Sequence, residues 1–189
     1  MLSLFPEEPL YPEGFSYLPD FIDQKEEAEL LAAIEQLSLH PMKFQGYEAK
    51  RKVTSFGYDW SFEKRILSKG KEIPPVFTPL IKKLSTHLNI NPDQIAELLV
   101  TEYPPGSLIN WHRDAPPFDI IAGVSLLSDC VFRLRPHDKS KQGRKSIVSI
   151  PVHRRSLYIM KKSARSEWQH STAAVSSTRY SITVRTLKR

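Results

Sequence analysis

The order of hydrophobic patterns predicts an α+β fold, with helices first and an all-β core of the jelly-roll type after them. Three observations carry this. Helical periodicity is confined to the first half of the chain. From Ile95 onward only strand signals occur, at Ala96 to Tyr103, Ile120 to Leu127, Val131 to Leu134, Ser146 to Ile150, Ser156 to Ile159 and Tyr180 to Thr186. The length, 189 residues, suits one domain with one well-formed core.

The elements follow in order. Met1 to Phe21 is Pro-rich and reads as extended. Asp23 is an N-cap, and Glu26 completes a capping box. Leu30, Leu31, Ile34 and Leu37 then mark an amphipathic helix over Gln24 to Leu37. Lys52 to Phe62 alternates as a strand and turns Phe56, Tyr58, Trp60 and Phe62 to one side. Pro74 and Pro75 break the chain. Pro79 opens a second helix with a Leu80, Leu84, Leu88 stripe. Pro104 to Gly106 is a turn between strands.

Composition narrows the setting. A formal charge of +6 favours polyanionic partners such as nucleic acid. The single cysteine, Cys130, excludes an intramolecular disulfide and points to a reducing, cytoplasmic compartment. The opening residues MLSLFPEEPLYPEG lack the basic and apolar regions of a signal peptide. No segment is apolar for long enough to span a bilayer, so no membrane role is expected. No obligate protein partner is evident.

The chemistry concentrates in His112-Arg113-Asp114. On a strand, residues two apart share a face, so His112 and Asp114 can reach one metal while Arg113 points away. A kinase catalytic loop is excluded, because Ala115-Pro116-Pro117-Phe118-Asp119 follows in place of its leucine and asparagine. Of the remaining histidines, His170 stands out because it precedes a strand of unusual polarity; His40, His87, His137 and His153 read as ordinary surface residues. Two imidazoles and a carboxylate form the ligand set of a non-haem Fe(II) oxygenase, with open positions left over. On the last strand Arg179, Ser181, Thr183 and Arg185 alternate with Tyr180, Ile182 and Val184. That polar face is either half-exposed or turned into a barrel, where two arginines would clamp an anionic co-substrate.

These residues resemble a known family. Glu102-Tyr103-Pro104-Pro105-Gly106, His112-Arg113-Asp114, Ser156 to Met160, Trp168-Gln169-His170 and the Arg179 to Arg185 strand are similar to the AlkB family of Fe(II)/2-oxoglutarate dioxygenases. The likeness is close over roughly the last ninety residues and looser before them. It implies a double-stranded β-helix (jelly-roll) core at 93–189 and an N-terminal extension of helices and substrate lid at 1–92, within one domain. It implies Fe(II) on His112, Asp114 and His170. Arg179 would pair with the distal carboxylate of 2-oxoglutarate, Arg185 would sit at the metal end, and Tyr103 would donate a hydrogen bond. Thr101 and Ser181 stand where the family often has Asn, and both keep a hydroxyl. Pro116 stands where DNA-repair members commonly carry an acidic residue against the damaged base, so no particular base is implied.

The implied reaction oxidises a C–H bond with oxygen and 2-oxoglutarate, yielding succinate and carbon dioxide. On an N-methyl group of DNA or RNA it would release formaldehyde, as in DNA repair. A base must leave the duplex to reach such a site. Tyr58 and Trp60 are the candidates to stack it, with Arg51, flanked by Lys50 and Lys52, toward phosphate. Arg133, Arg135, His137, Lys139, Lys141, Arg144 and Lys145 form either a solvated loop or a phosphate track. The alternatives are a hydroxylase or demethylase of a protein or small molecule, and a catalytically inactive basic nucleic-acid-binding module. A zinc hydrolase would share the ligands but would not need the two arginines.

Overall fold

The structure, a computed structural model, describes residues 11–44 and 46–188. The expectation of extended chain over residues 1–10 lies outside the described residues. The elements run β1 (Phe15–Leu18), α1 (Gln24–Glu35), β2 (His40–Phe44), β3 (Tyr47–Ser61), β4 (Ile66–Lys69), α2 (Thr78–Leu88), β5 (Ile95–Tyr103) and β6 (Ile109–His112). They continue with β7 (Phe118–Leu126), β8 (Cys130–Pro136), β9 (Val148–Val152), β10 (Leu157–Met160), α3 (Lys162–Ser166), β11 (Trp168–Thr172) and β12 (Arg179–Leu187).

Local chemistry starts and stops the helices. The Asp23 carboxylate accepts from the Glu26 amide at 2.8 Å, and the Glu26 carboxylate accepts from the Asp23 amide at 2.8 Å. Leu30 and Ile34 turn inward from α1. Pro79 sits in the first turn of α2, and Asn89 ends that helix in the left-handed region at φ 54°.

Two sheets form the jelly roll. The major sheet runs β1-β10-β7-β12-β5-β3-β2, with β4 hydrogen-bonded to β3. The minor sheet runs β6-β11-β8-β9. Strand alternation gives the major sheet two different faces. Leu98, Val100, Val124, Ile182 and Val184 pack under the helices with Leu30, Ile34, Phe77 and Leu84. The opposite face meets the minor sheet in a second core of Tyr103, Phe118, Ile121, Phe132, Leu134, Ile150, Tyr158 and Met160. Strands from the first half of the chain, β1 and β3, are hydrogen-bonded into the same sheet as the core strands.

Three expectations are corrected, and four short strands are added to the expected ones. The region after Ile95 is not all strand, because α3 lies just before β11. The short strands β2, β4, β6 and β11 lack the alternating length that marks a strand in sequence. Asp114 is not on the strand of His112, since β6 ends at His112. The aromatics Phe56, Tyr58, Trp60 and Phe62 do not share one strand face, and Phe62 lies just past the end of β3. At Gly57, φ is +84°, and the strand changes partner there, pairing with β5 up to Gly57 and with β4 from Tyr58. Phe56 therefore joins the core under the helices while Trp60 packs against the inter-sheet core. No helix among the described residues is long and apolar enough to cross a membrane.

Candidate metal and co-substrate site

Register brings the two histidines together. His170 on β11 is the direct cross-strand partner of His112 on β6, and of Leu134 on β8. Their ring centroids are 4.2 Å apart, and Phe132 stacks on His170 at 5.4 Å. The Nδ1–H of His112 donates to the Asn110 carbonyl at 2.8 Å, which leaves Nε2 as a free lone pair. Asp114 reaches the same point from the loop after β6, with Oδ2 3.5 Å from His170 Nε2. Ligand atoms of all three residues lie within 4.8 Å of one another.

The loop that delivers Asp114 is tied from two sides. Arg185 donates to Asp114 Oδ1 from Nη2 at 2.6 Å and from Nε at 2.9 Å. Arg165 on α3, itself buried, donates from Nη2 to the carbonyls of Asp114, Ala115 and Phe118 at 3.3, 2.7 and 3.0 Å. Burial opposes charge on Asp114, but Arg185, then His170, His112 and Arg165 outweigh it and hold the carboxyl well below the usual range. Burial, with His112 beside it, pushes His170 down to about 3, so its ring is neutral.

This donor set fits a divalent metal. Asp114 Oδ2 is a buried anionic oxygen without a hydrogen-bond partner among the described residues, close to the imidazoles of His112 and His170. Three ligands with mixed nitrogen and oxygen donors leave coordination positions open, as Fe(II) oxygen chemistry requires. One metal would therefore satisfy the oxygen that the protein leaves unpartnered.

The arginines on β12 are placed by register too. Arg179, Ser181 and Arg185 lie opposite Tyr103, Thr101 and Glu97 of β5. Arg185 is charge-compensated, since its Nη1 donates to buried Glu97 at 2.6 Å in addition to its bonds to Asp114. Arg179 has no such carboxylate partner among the described residues. Its Nε donates to Ser125 Oγ at 2.9 Å, its guanidinium lies 4.8 Å over the Tyr103 ring, and it also interacts with the Tyr103 hydroxyl and the Cys130 thiol. It is only 2% exposed, and no carboxylate lies within 4.0 Å of it among the described residues. A buried cation with no anion facing it is a receptor for a carboxylate.

A cavity of about 1840 Å³ opens over these groups. It is lined by His112, Asp114, His170, Arg179, Thr183 and Arg185, by Glu97, Thr101 and Tyr103 of β5, and by Arg51, Trp60 and Phe62. Ser181 is buried on β12 and is absent from that lining, as is Tyr58. Tyr58 lines a separate cleft with Lys69 and Glu72, on the far side of the change of partner at Gly57. Arg51 is anchored by Nη2 to Met42 Sδ at 2.8 Å and by Nη1 to the Leu108 carbonyl at 3.4 Å. Sequence reasoning missed Glu97 and Arg165. Glu97 was visible as a charge in phase with Leu99, Thr101 and Tyr103, whereas Arg165 acts on backbone carbonyls and leaves no pattern.

Comparison with known proteins agrees with this geometry. A family model described as the 2OG-Fe(II) oxygenase superfamily matches residues 14–185. An Arabidopsis thaliana protein, "Alkylated DNA repair protein ALKBH8 homolog", is 27% identical over 178 residues, covering 83% of this chain and 50% of that protein. The Mus musculus "tRNA (carboxymethyluridine(34)-5-O)-methyltransferase ALKBH8" is 29% identical over 168 residues, covering 84% of this chain and 24% of that protein. The chain thus spans half or less of the length of these curated relatives. Among solved structures, OsALKBH1 superposes with a TM-score of 0.74 at 13% identity, covering 95% of this chain and all of that one. A Pseudomonas putida prolyl-4-hydroxylase superposes at 0.65 with 16% identity, covering 93% of each chain. The chain belongs to the 2OG-Fe(II) oxygenase superfamily of dioxygenases dependent on Fe(II), 2-oxoglutarate and oxygen, and it is similar to AlkB homologues in sequence and in fold.

Proposed function

We propose that this dioxygenase removes N-alkyl groups from bases of DNA or RNA, with release of formaldehyde and succinate. The observation that carries the reading is the lining of the cavity. Arg51 and Trp60, both half-buried, line the same cavity as His112, Asp114 and His170. A guanidinium and an indole in one cavity with a metal-ligand set suit a phosphate and a flipped base. Basic side chains of the same lining, among them Lys43, Arg65, Lys71 and Lys162, extend the same attraction. The relatives named for alkylated DNA repair and for tRNA uridine modification point to the same substrate class.

His112, Asp114 and His170 hold Fe(II). Arg179 receives the distal carboxylate of 2-oxoglutarate, and Tyr103 and Thr101 border it from β5. Arg185 fixes Asp114 and lends its charge to the carboxylate at the metal end, while Ser181 is buried on the same strand between the positions of the two arginines. Bound iron supplies oxygen activation coupled to oxidation of 2-oxoglutarate. The chain's own task is to orient co-substrate and target and to keep water from the reacting carbon. An N-methyl carbon that gains a hydroxyl loses formaldehyde and leaves the free amine. Trp60 and Arg51 are the residues we assign to substrate; Tyr58 is not among them.

The test is turnover with Fe(II), 2-oxoglutarate and a panel of methylated single- and double-stranded oligonucleotides, reading formaldehyde and succinate together. Equal, oligonucleotide-dependent amounts of both support the proposal. Succinate formation indifferent to every oligonucleotide, but stimulated by a methylated peptide or small molecule, would replace it with the alternative substrate class.

A further inference from the structure

The outer face of the minor sheet carries a second constellation that the metal site does not use. His112, Leu134 and His170 are cross-strand partners facing inward, so Trp111, Arg133, Arg135, Gln169 and Ser171 alternate to the outside. The guanidiniums of Arg133 and Arg135 lie over the Trp111 ring, 5.2 and 4.4 Å from its centroid. The Nε of Arg133 donates to Ser171 Oγ at 3.1 Å, and the Nε of Arg135 donates to Gln169 Oε1 at 2.8 Å. Each side chain is thereby ordered through its Nε and the ring.

Two cations two residues apart on one strand repel each other, and the ring offsets only part of that cost. Among the described residues no carboxylate lies within 4.0 Å of either guanidinium. A pre-ordered pair of planar cations without a counter-ion is built for an oxyanion, and phosphate matches the fork. Past β8 the chain adds Lys139, Lys141, Arg144 and Lys145 against the single acid Asp138. Trp111 and Gln169 also line the cavity over the metal-ligand set, so this face borders that cavity.

We infer that this outer face binds the phosphodiester backbone of a single-stranded nucleic acid, beside the base that enters the cavity. The inference rests on the nucleic-acid reading above and names where the strand runs. Arg133 and Arg135 take phosphates, and Trp111 offers its remaining ring surface to a neighbouring base. Planar cations on an aromatic ring favour a strand of phosphates and bases over an acidic peptide, which has no rings to stack.

The experiment uses the full chain loaded with Fe(II) and 2-oxoglutarate under anaerobic conditions. A fluorescent, unmodified single-stranded oligonucleotide is titrated across a KCl series. Wild type should bind with strong salt dependence. Arg133→Gln with Arg135→Gln should weaken binding at low salt at least tenfold and reduce the slope of log Kd against log salt by about 1.4, two phosphates' worth. Arg133→Lys with Arg135→Lys should keep most of that slope. If the glutamine pair fails the thermal-unfolding control, Lys139→Gln with Lys141→Gln, in the loop beyond the sheet, reads the same slope. Wild-type affinity and slope in these variants would overturn the inference, as would equal binding of wild type to polyglutamate of matched charge. Slope loss in the variants, with no methylated strand turned over by wild type, would support this surface and remove the demethylase reading.

Discussion

Arg179 and Arg185 stand six residues apart on one strand, yet they meet opposite electrostatic surroundings. Arg185 is paired with Asp114 and Glu97, while Arg179 is buried with no carboxylate within 4.0 Å among the described residues. Replacing Arg179 with glutamine should therefore raise the KM for 2-oxoglutarate about 100-fold, the loss of roughly 3 kcal/mol for a buried charge-assisted pair. Succinate formation over a 2-oxoglutarate series checks this, and Fe(II) affinity should change far less. The polarity of this strand was legible in sequence, because alternation alone put both arginines on one face. What each arginine faces was not legible, because Glu97 and Ser125 come from neighbouring strands whose register only the fold sets. Asp114 shows the same boundary. Its residue type and spacing marked it as a ligand, but its place in a loop tied by Arg165 had no sequence signal.

At the scale of elements, α1 is locked to the sheet by one buried acid. Glu27 accepts from Arg154 at 2.7 Å, from Arg155 at 3.3 Å and from the Leu127 amide at 2.9 Å. Leu127 and Arg155 are both in the left-handed region, so the clamp also holds two strained loop ends. Burial works against the Glu27 charge, but Arg154, the Leu127 amide and Arg155 together pull its pKa below the ordinary value. The stabilisation is therefore fully present above about pH 4.3, the unfolded carboxyl value, and is lost as pH falls through the lower folded value. Glu27→Gln should cost about 2 kcal/mol at pH 7. The difference from wild type should shrink steadily as urea denaturation is repeated toward acid pH. The capping box of α1 was legible because it is local, within four residues. The docking role of Glu27 was not, because its partners lie 100 or more residues away. Strand β3 shows the reverse failure: a clean alternation suggested one aromatic face, and the backbone turn at Gly57 divided it.

Across the whole molecule, the jelly roll explains how distant segments make one site. The minor sheet supplies His112 and His170, the major sheet supplies Arg179 and Arg185, and the cavity lies between them. The fold class was legible because helices precede strands and the strand count suits two sheets. Membership of β1 and β3 in the major sheet was not, since pairing of early with late strands leaves no local trace. The charge of +6 belongs to this scale as well, as an attraction for polyanions that would add to the proposed substrate and strand-binding surfaces. All of it depends on one metal centre. Anaerobic titration of the metal-free chain with Fe(II), followed by 2-oxoglutarate, tests that most directly. One Fe(II) per chain is expected, with affinity reduced at least about 100-fold in His170→Ala and Asp114→Ala, and with 2-oxoglutarate binding lost in the same variants. Wild-type Fe(II) affinity and stoichiometry in either variant would contradict this.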